Sequence, residues 1–178
     1  MTSATPLPLR WKVMESRRTL ILMRHGKSAY PDGVPDHDRP LAPRGQREAA
    51  LGGSWLQQAT APVDHVLCSS AVRTRETFAA SGIDAPVEYL ESLYGADPEI
   101  IAEEVGLIGE DSQTLLVIAH WPGIPETALW LADNDDSDEA DQMRSKFHTS
   151  AIAVLTTTRR WDQLDRGAAR LDKFHVPR

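Results

Sequence analysis

A single cysteine, Cys68, leaves this 178-residue chain without a partner for an internal disulfide. That excludes a disulfide-stapled secreted scaffold and is in keeping with a reducing, cytoplasmic setting. Basic residues are in deficit: 19 Lys and Arg stand against 26 Asp and Glu, for a formal net charge of -7. A chain with that balance lacks the basic face that nucleic acid or an anionic membrane requires. A small anionic ligand is not excluded, because a pocket can be locally positive. No apolar run approaches the roughly 20 residues of a membrane span. Met1–Lys12 contains prolines but no continuous apolar core, so no secretory signal is expected. Internal repeats are absent as well. The acidic run Asp133–Asp141 lacks the spacing and glycine of an EF-hand, which leaves a solvated loop or helix start as its expected form and no metal site.

What is present begins with Thr19–Leu20–Ile21–Leu22–Met23, an apolar run of strand length with no helical spacing. It stops abruptly at Arg24–His25–Gly26, which delivers a cation and an imidazole into a tight turn. Residues 1–18 read as an extension ahead of one domain over 19–178, and Met14 could itself be a start residue. The Pro-, Asp- and Gly-rich stretch 30–40 is a loop. Helix is expected over 46–58, opened by Pro43–Arg44–Gly45, with Ala49, Ala50, Trp55 and Leu56 as candidate buried positions. Further strands are expected at 63–69, 87–90, 114–119 and 150–156. Further helices are expected at 72–81, 98–106 and 124–131, the first of these ended by Gly82. The tail 159–178 reads as polar with isolated apolar residues. Strands alternating with helices predict an α/β fold, a three-layer sandwich with a mostly parallel central sheet and helices on both faces.

Such a sheet binds its ligand beyond the carboxyl ends of its strands. The first strand ends at Arg24–His25, the second at Ser69–Ser70 followed by Arg73, and the fourth at His120. Three strand exits thus carry two arginines and two histidines toward one edge. These are the groups that phosphoryl transfer to a histidine requires. Guanidinium forks clamp the phosphoryl oxygens, a neutral imidazole attacks phosphorus, and a second imidazole hydrogen-bonds the transferred group. Guanidinium charge replaces a metal in this scheme, and no cofactor is expected.

The segments LMRHGKS, SSAVRTRET and VIAHWPG, in this order, resemble the histidine phosphatase superfamily, with its phosphoglycerate-mutase-like fold. DHDRPLAPRG after the first motif narrows the resemblance to the SixA-type phosphohistidine phosphatases, over about Thr19 to the C-terminus. The resemblance implies that His25 is the nucleophile and forms a phosphohistidine intermediate. It implies that Arg24 and Arg73 bind the phosphoryl group and that His120 is the second pocket histidine. In the mutase-like branch a glutamate before a Tyr-Gly pair is the general acid. Glu91, ahead of Tyr94–Gly95, holds the matching place, and SixA-type enzymes can lack this acid. For Glu91 both a catalytic role and a surface carboxylate stand open; for Lys27, both the pocket mouth and solvent.

Asp38 and Arg39 are expected to brace the loop, Arg75 to lie on the surface, and Cys68 to be a buried inert thiol. His37, His65, His148 and His175 follow no ligand spacing and read as ordinary. Little chain between Arg73 and His120 remains for a lid, which suits a phosphohistidine presented on a protein better than a small phosphomonoester. The open alternatives are a phosphomonoesterase acting on small molecules with the same site, and a non-catalytic phosphate-binding module.

Overall fold

The computed structural model describes residues 17–133 and 135–178. The expected N-terminal extension therefore lies outside the described residues except for Arg17 and Arg18, and Arg18 already belongs to the first strand. The strands are β1 (Arg18–Arg24), β2 (His65–Ser69), β3 (Val87–Leu90), β4 (Thr114–Ala119), β5 (Ile152–Thr157) and β6 (Arg170–His175). The helices are α1 (Pro43–Ala59), α2 (Val72–Ser81), α3 (Pro98–Gly106), α4 (Gly123–Leu131) and α5 (Asp138–Ser145). The sheet order is β3-β2-β4-β1-β5-β6. The pairings among β3, β2, β4 and β1 are parallel, whereas β5 and β6 run antiparallel to their neighbours.

Alternation along the central strands sorts their side chains onto two faces. Leu20, Leu22, Leu115, Val117 and Ala119 join one core with Ile101, Ile124, Ala128 and Met143 from α3, α4 and α5. Ile21, Met23, Leu116 and Ile118 join the other with Leu56 of α1, and Phe78 of α2 packs against it. Both faces are covered, which is why β1 and β4 read as unbroken apolar runs. Each such buried Leu or Ile contributes about 1.5–3 kcal/mol over exposure.

Two details differ from the sequence reading. Ala50 is exposed, because the inward stripe of α1 is Gly45, Glu48, Ala49, Gly52, Gly53 and Leu56, half-buried Trp55 lying beside it. The tail forms a sixth strand. β6 pairs with β5 alone, and the register shifts between Val154 and Leu155, where Asp172 is left over. That irregularity turns Leu171 and Phe174, three residues apart, toward the same core. The period of two that marks a strand is thereby lost from the sequence.

The acidic run caps α5. Asp135 Oδ1 accepts from Ser137 N at 2.8 Å, and Ser137 Oγ accepts from Ala140 N at 3.2 Å. Asp138, Glu139 and Asp141 occupy the first turn, where negative charge opposes the helix dipole favourably. Among the described residues, no helix is long and apolar enough to cross a membrane.

Candidate active site

The carboxyl ends of β2, β4 and β1 lie side by side, because Arg24 is in register with Ala119 and Cys68 with Ile118. The turn after β1 is fixed at close quarters. His25 N donates to Ala119 O at 3.0 Å, and Gly26 N donates to Thr77 Oγ1 at 2.9 Å. A Cβ on Gly26 would stand 2.8 Å from Gly45 O, so the turn crosses the start of α1 glycine on glycine.

The structure brings His25, Arg73 and His120 together. The two imidazole rings are 5.1 Å apart, and Arg73 Nη2 lies 3.3 Å from His120 Nδ1. Their partners set the tautomers. His25 Nδ1 is 2.7 Å from Gly26 O, a carbonyl that can only accept, so Nδ1 carries the proton and Nε2 keeps its lone pair. A guanidinium can only donate, so His120 Nδ1 accepts from Arg73 and Nε2–H donates to Ser69 Oγ at 2.8 Å. Both nitrogens of His120 are thus engaged within the protein. Burial, then the neighbouring cations Arg73, Arg24 and Arg39, pull His25 down to about 4, against the Gly26 hydrogen bond. Burial, then His25 and Arg73, pull His120 down to about 3. Both rings are neutral at pH 7.

Arg24 donates through Nη1 to Phe147 O at 2.7 Å, and burial lowers its pKa from the usual guanidinium value. The buried Nε atoms of Arg24, Arg73 and Arg39, and Nη1 of Arg39, have no hydrogen-bond partner in the protein. Three guanidinium groups whose charge reaches a neutral imidazole make a cationic setting suited to a multiply charged oxyanion.

The loop after β1 supplies groups that the sequence did not reveal as part of the site. Ala42 N donates to Lys27 O at 2.8 Å and Leu41 N to Glu76 Oε2 at 2.6 Å, which folds the loop back against α2. Asp36 then meets Arg73, Arg39 at 2.7 Å and the Tyr94 hydroxyl at 2.6 Å. The Tyr94 hydrogen bond, with help from Arg73 and Arg39 against some desolvation, holds the Asp36 carboxyl down at about 2. Arg39 braces the loop as expected, with Tyr30 4.0 Å below its guanidinium, and it also faces His25. His37 is not an ordinary surface histidine: it lies at the mouth, 2.9 Å from Ser70 Oγ and 5.0 Å from the Tyr94 ring. The available signal was position, since DHDRP lies in the loop after the first motif and Tyr94 closes the Glu91 segment.

Glu91 reaches the rim through a short hydrogen bond from Ser70 Oγ and lies 3.4 Å from His37, with its side chain 73% exposed. Lys27 is exposed and sits over the Tyr30 ring at 5.3 Å. Arg75 points away, 4.9 Å over the Tyr89 ring. Burial pushes the Cys68 thiol up to about 12, which makes it unreactive. His65 pairs with Glu88, His148 with Arg178, and His175 stacks on Trp55. Among the described residues, no group of three or more His, Cys, Asp or Glu side chains could hold a metal ion.

A family model for the histidine phosphatase superfamily (branch 1) matches residues 20–97. The chain is 51% identical over 158 residues to the uncharacterized protein Rv1276c of Mycobacterium tuberculosis, covering 88% of this chain and 100% of that one. The chain belongs to the histidine phosphatase superfamily and is a hydrolase of the phosphatase class. The likeness within it is to SixA. A solved structure from Nakamurella multipartitia, described as a phosphohistidine phosphatase SixA, superposes with a TM-score of 0.84 at 40% identity, covering 90% of this chain and 96% of that one. The phosphohistidine phosphatase SixA of Escherichia coli is 29% identical over 143 residues, covering 77% of this chain and 84% of that one.

Proposed function

We propose that this protein hydrolyses phosphohistidine on a protein, through a phosphohistidine on its own His25, without a metal ion. The observation that carries this reading is the His25 tautomer. Nδ1–H is held by Gly26 O, which leaves a neutral Nε2 nucleophile among the cations Arg73, Arg24 and Arg39. In the first step Nε2 attacks phosphorus, the substrate P–N bond breaks, and the departing imidazole takes a proton from solvent water. In the second step water attacks the phosphorus on His25, the enzyme P–N bond breaks, and phosphate leaves with His25 neutral again. Arg24 and Arg73, joined by Arg39, bind the oxygens and stabilise charge on them in the transition state. His120, held by Ser69, orients Arg73 through Nδ1. A leaving imidazole needs less help than an alkoxide, so an exposed Glu91 suffices at the rim. The SixA likeness supports a protein substrate, and the single cysteine supports a cytoplasmic one.

Glu91, hydrogen-bonded by Ser70 beside the site, favours small phosphomonoesters as a second reading, with Glu91 as general acid. Incubation with a radiolabelled phosphohistidine protein in the presence of a chelator tests the main reading. An acid-labile label should appear on His25, absent from His25→Ala, with multiple turnovers in the wild type. Label elsewhere, or turnover retained by the variant, identifies another nucleophile. Binding without turnover identifies a phosphate-binding module.

A further inference from the structure

Trp121 directly follows His120, and its side chain is left 62% exposed. It does not stand alone. Pro122, Pro125 and Leu129 of the α4 segment line a groove of about 480 Å³ together with Met143, Phe147 and Arg24. Arg24 also belongs to the oxyanion hollow, so groove and hollow share a residue. The rim carries Arg144 and Lys146 against Glu126. Arg144 is partly offset by Asp141 at 2.9 Å. In a chain of net charge -7, this local excess of cations beside an apolar floor selects for a partner that is both apolar and acidic.

We propose that this groove is the docking surface for the polypeptide flanking the phosphohistidine, with Trp121 as its anchor and Lys146 facing an acidic side chain. The proposal rests on the phosphatase reading above. A small phosphoester fills the hollow and ends there. A phosphohistidine on a protein brings its backbone and neighbouring side chains to the mouth, next to which Trp121 opens the apolar groove. On the side of His37, Ser70 and Glu91 the Tyr94 ring already packs against His120 at 5.3 Å, within a polar cluster. A groove of about 620 Å³ lined by Leu107, Trp130 and Trp161 shares no residue with the hollow, so a segment bound there does not present its phosphoryl group to His25. Aromatic anchors in apolar pockets carry a large share of binding energy at interfaces, and rim charges tune association.

The test is kcat/KM of the full chain on two substrates with the same P–N bond, a phosphohistidine-bearing protein and phosphoramidate. Trp121→Ala should lower kcat/KM at least 10-fold on the protein, mainly through KM, and leave phosphoramidate within twofold. Lys146→Glu, a surface change that spares the fold, should lower the protein value several-fold, with the difference shrinking at high salt. Equal loss on both substrates, or loss on neither, overturns the docking surface. Wild type inactive on both substrates overturns instead the phosphatase reading on which it rests.

Discussion

The Asp36 carboxylate lies 3.0 Å from Arg73 Nη2, while its own backbone carbonyl accepts from Arg73 Nη1 at 2.5 Å. Arg73 is the arginine read as a clamp for the phosphoryl group, so a protein carboxylate sits where a substrate oxygen competes. Tyr94 and Arg39 hold that carboxylate well below the usual range, at about 2, so mild acid does not release it.

Asp36→Asn keeps the shape and removes the competing charge. Inhibition by phosphate or tungstate should then tighten roughly 3–10-fold, the scale of about 1 kcal/mol for a partly screened ion pair. Inhibition constants from steady-state kinetics measure this. Weaker inhibition in the variant would make Asp36 a support for Arg73 instead of a competitor for its fork.

Arg24, His25, Arg73 and His120 were legible because each stands at, or just after, the carboxyl end of an apolar run, and the α/β rule puts those ends on one edge. Asp36, His37 and Arg39 were not, because their place depends on the return of the loop. That return is fixed by Ala42 N on Lys27 O and Leu41 N on Glu76, contacts between parts of the chain that share no local pattern. Ser69 was visible as a strand end, but its hydrogen bond to His120 Nε2, which decides a tautomer, was not, because it joins two strand ends 51 residues apart in the chain. A strand of the fold was missed where a bulge erased the alternation, at Leu171 and Phe174, and α5 was foreseen only as a loop or helix start.

Glu91 separates the two substrate readings. Glu91→Gln should lower turnover of an aryl or alkyl phosphomonoester by about 10²–10⁴ if it is the general acid. Phosphohistidine hydrolysis should change less than about fivefold, since the leaving imidazole needs little help. Parallel kcat measurements on the two substrates decide. Equal losses would mean that Glu91 acts on a step common to both, such as attack of water on the intermediate.

Acid should cost this protein stability in a specific window. The unfolded chain binds protons to His25 and His120 near pH 6.5, whereas burial delays this in the folded chain to about 4 and about 3. Between those values the unfolded state holds more protons, so stability is fully present above pH 6.5 and falls as pH falls through the window. Urea midpoints measured from pH 7 to pH 4 should drop steeply in the wild type. In His120→Asn the slope should be shallower by about one proton. The acid limb of kcat/KM should likewise lie below pH 5.5, because His25 Nε2 stays unprotonated down to about 4. A limb near 6.5 would show that His25 is not held neutral by its surroundings.

The crossing of Gly26 and Gly45 is a sensitive point in the scaffold of the site. A Cβ on Gly45 would stand 2.3 Å from Lys27 O and 2.7 Å from Lys27 N, both rigid backbone. Neither can yield without moving the turn that offers Gly26 O to His25 Nδ1. Gly45→Ala should therefore destabilise the fold by about 1–3 kcal/mol, a fall in Tm of roughly 3–10 °C, and should also lower kcat in the molecules that remain folded. Gly109→Ala is the control, since a Cβ there meets nothing within 4 Å. It should leave Tm and kcat unchanged. Calorimetry and single-turnover kinetics on the two variants check both effects. A Gly45→Ala protein with wild-type kcat would show that the His25 ring does not depend on this crossing for its orientation.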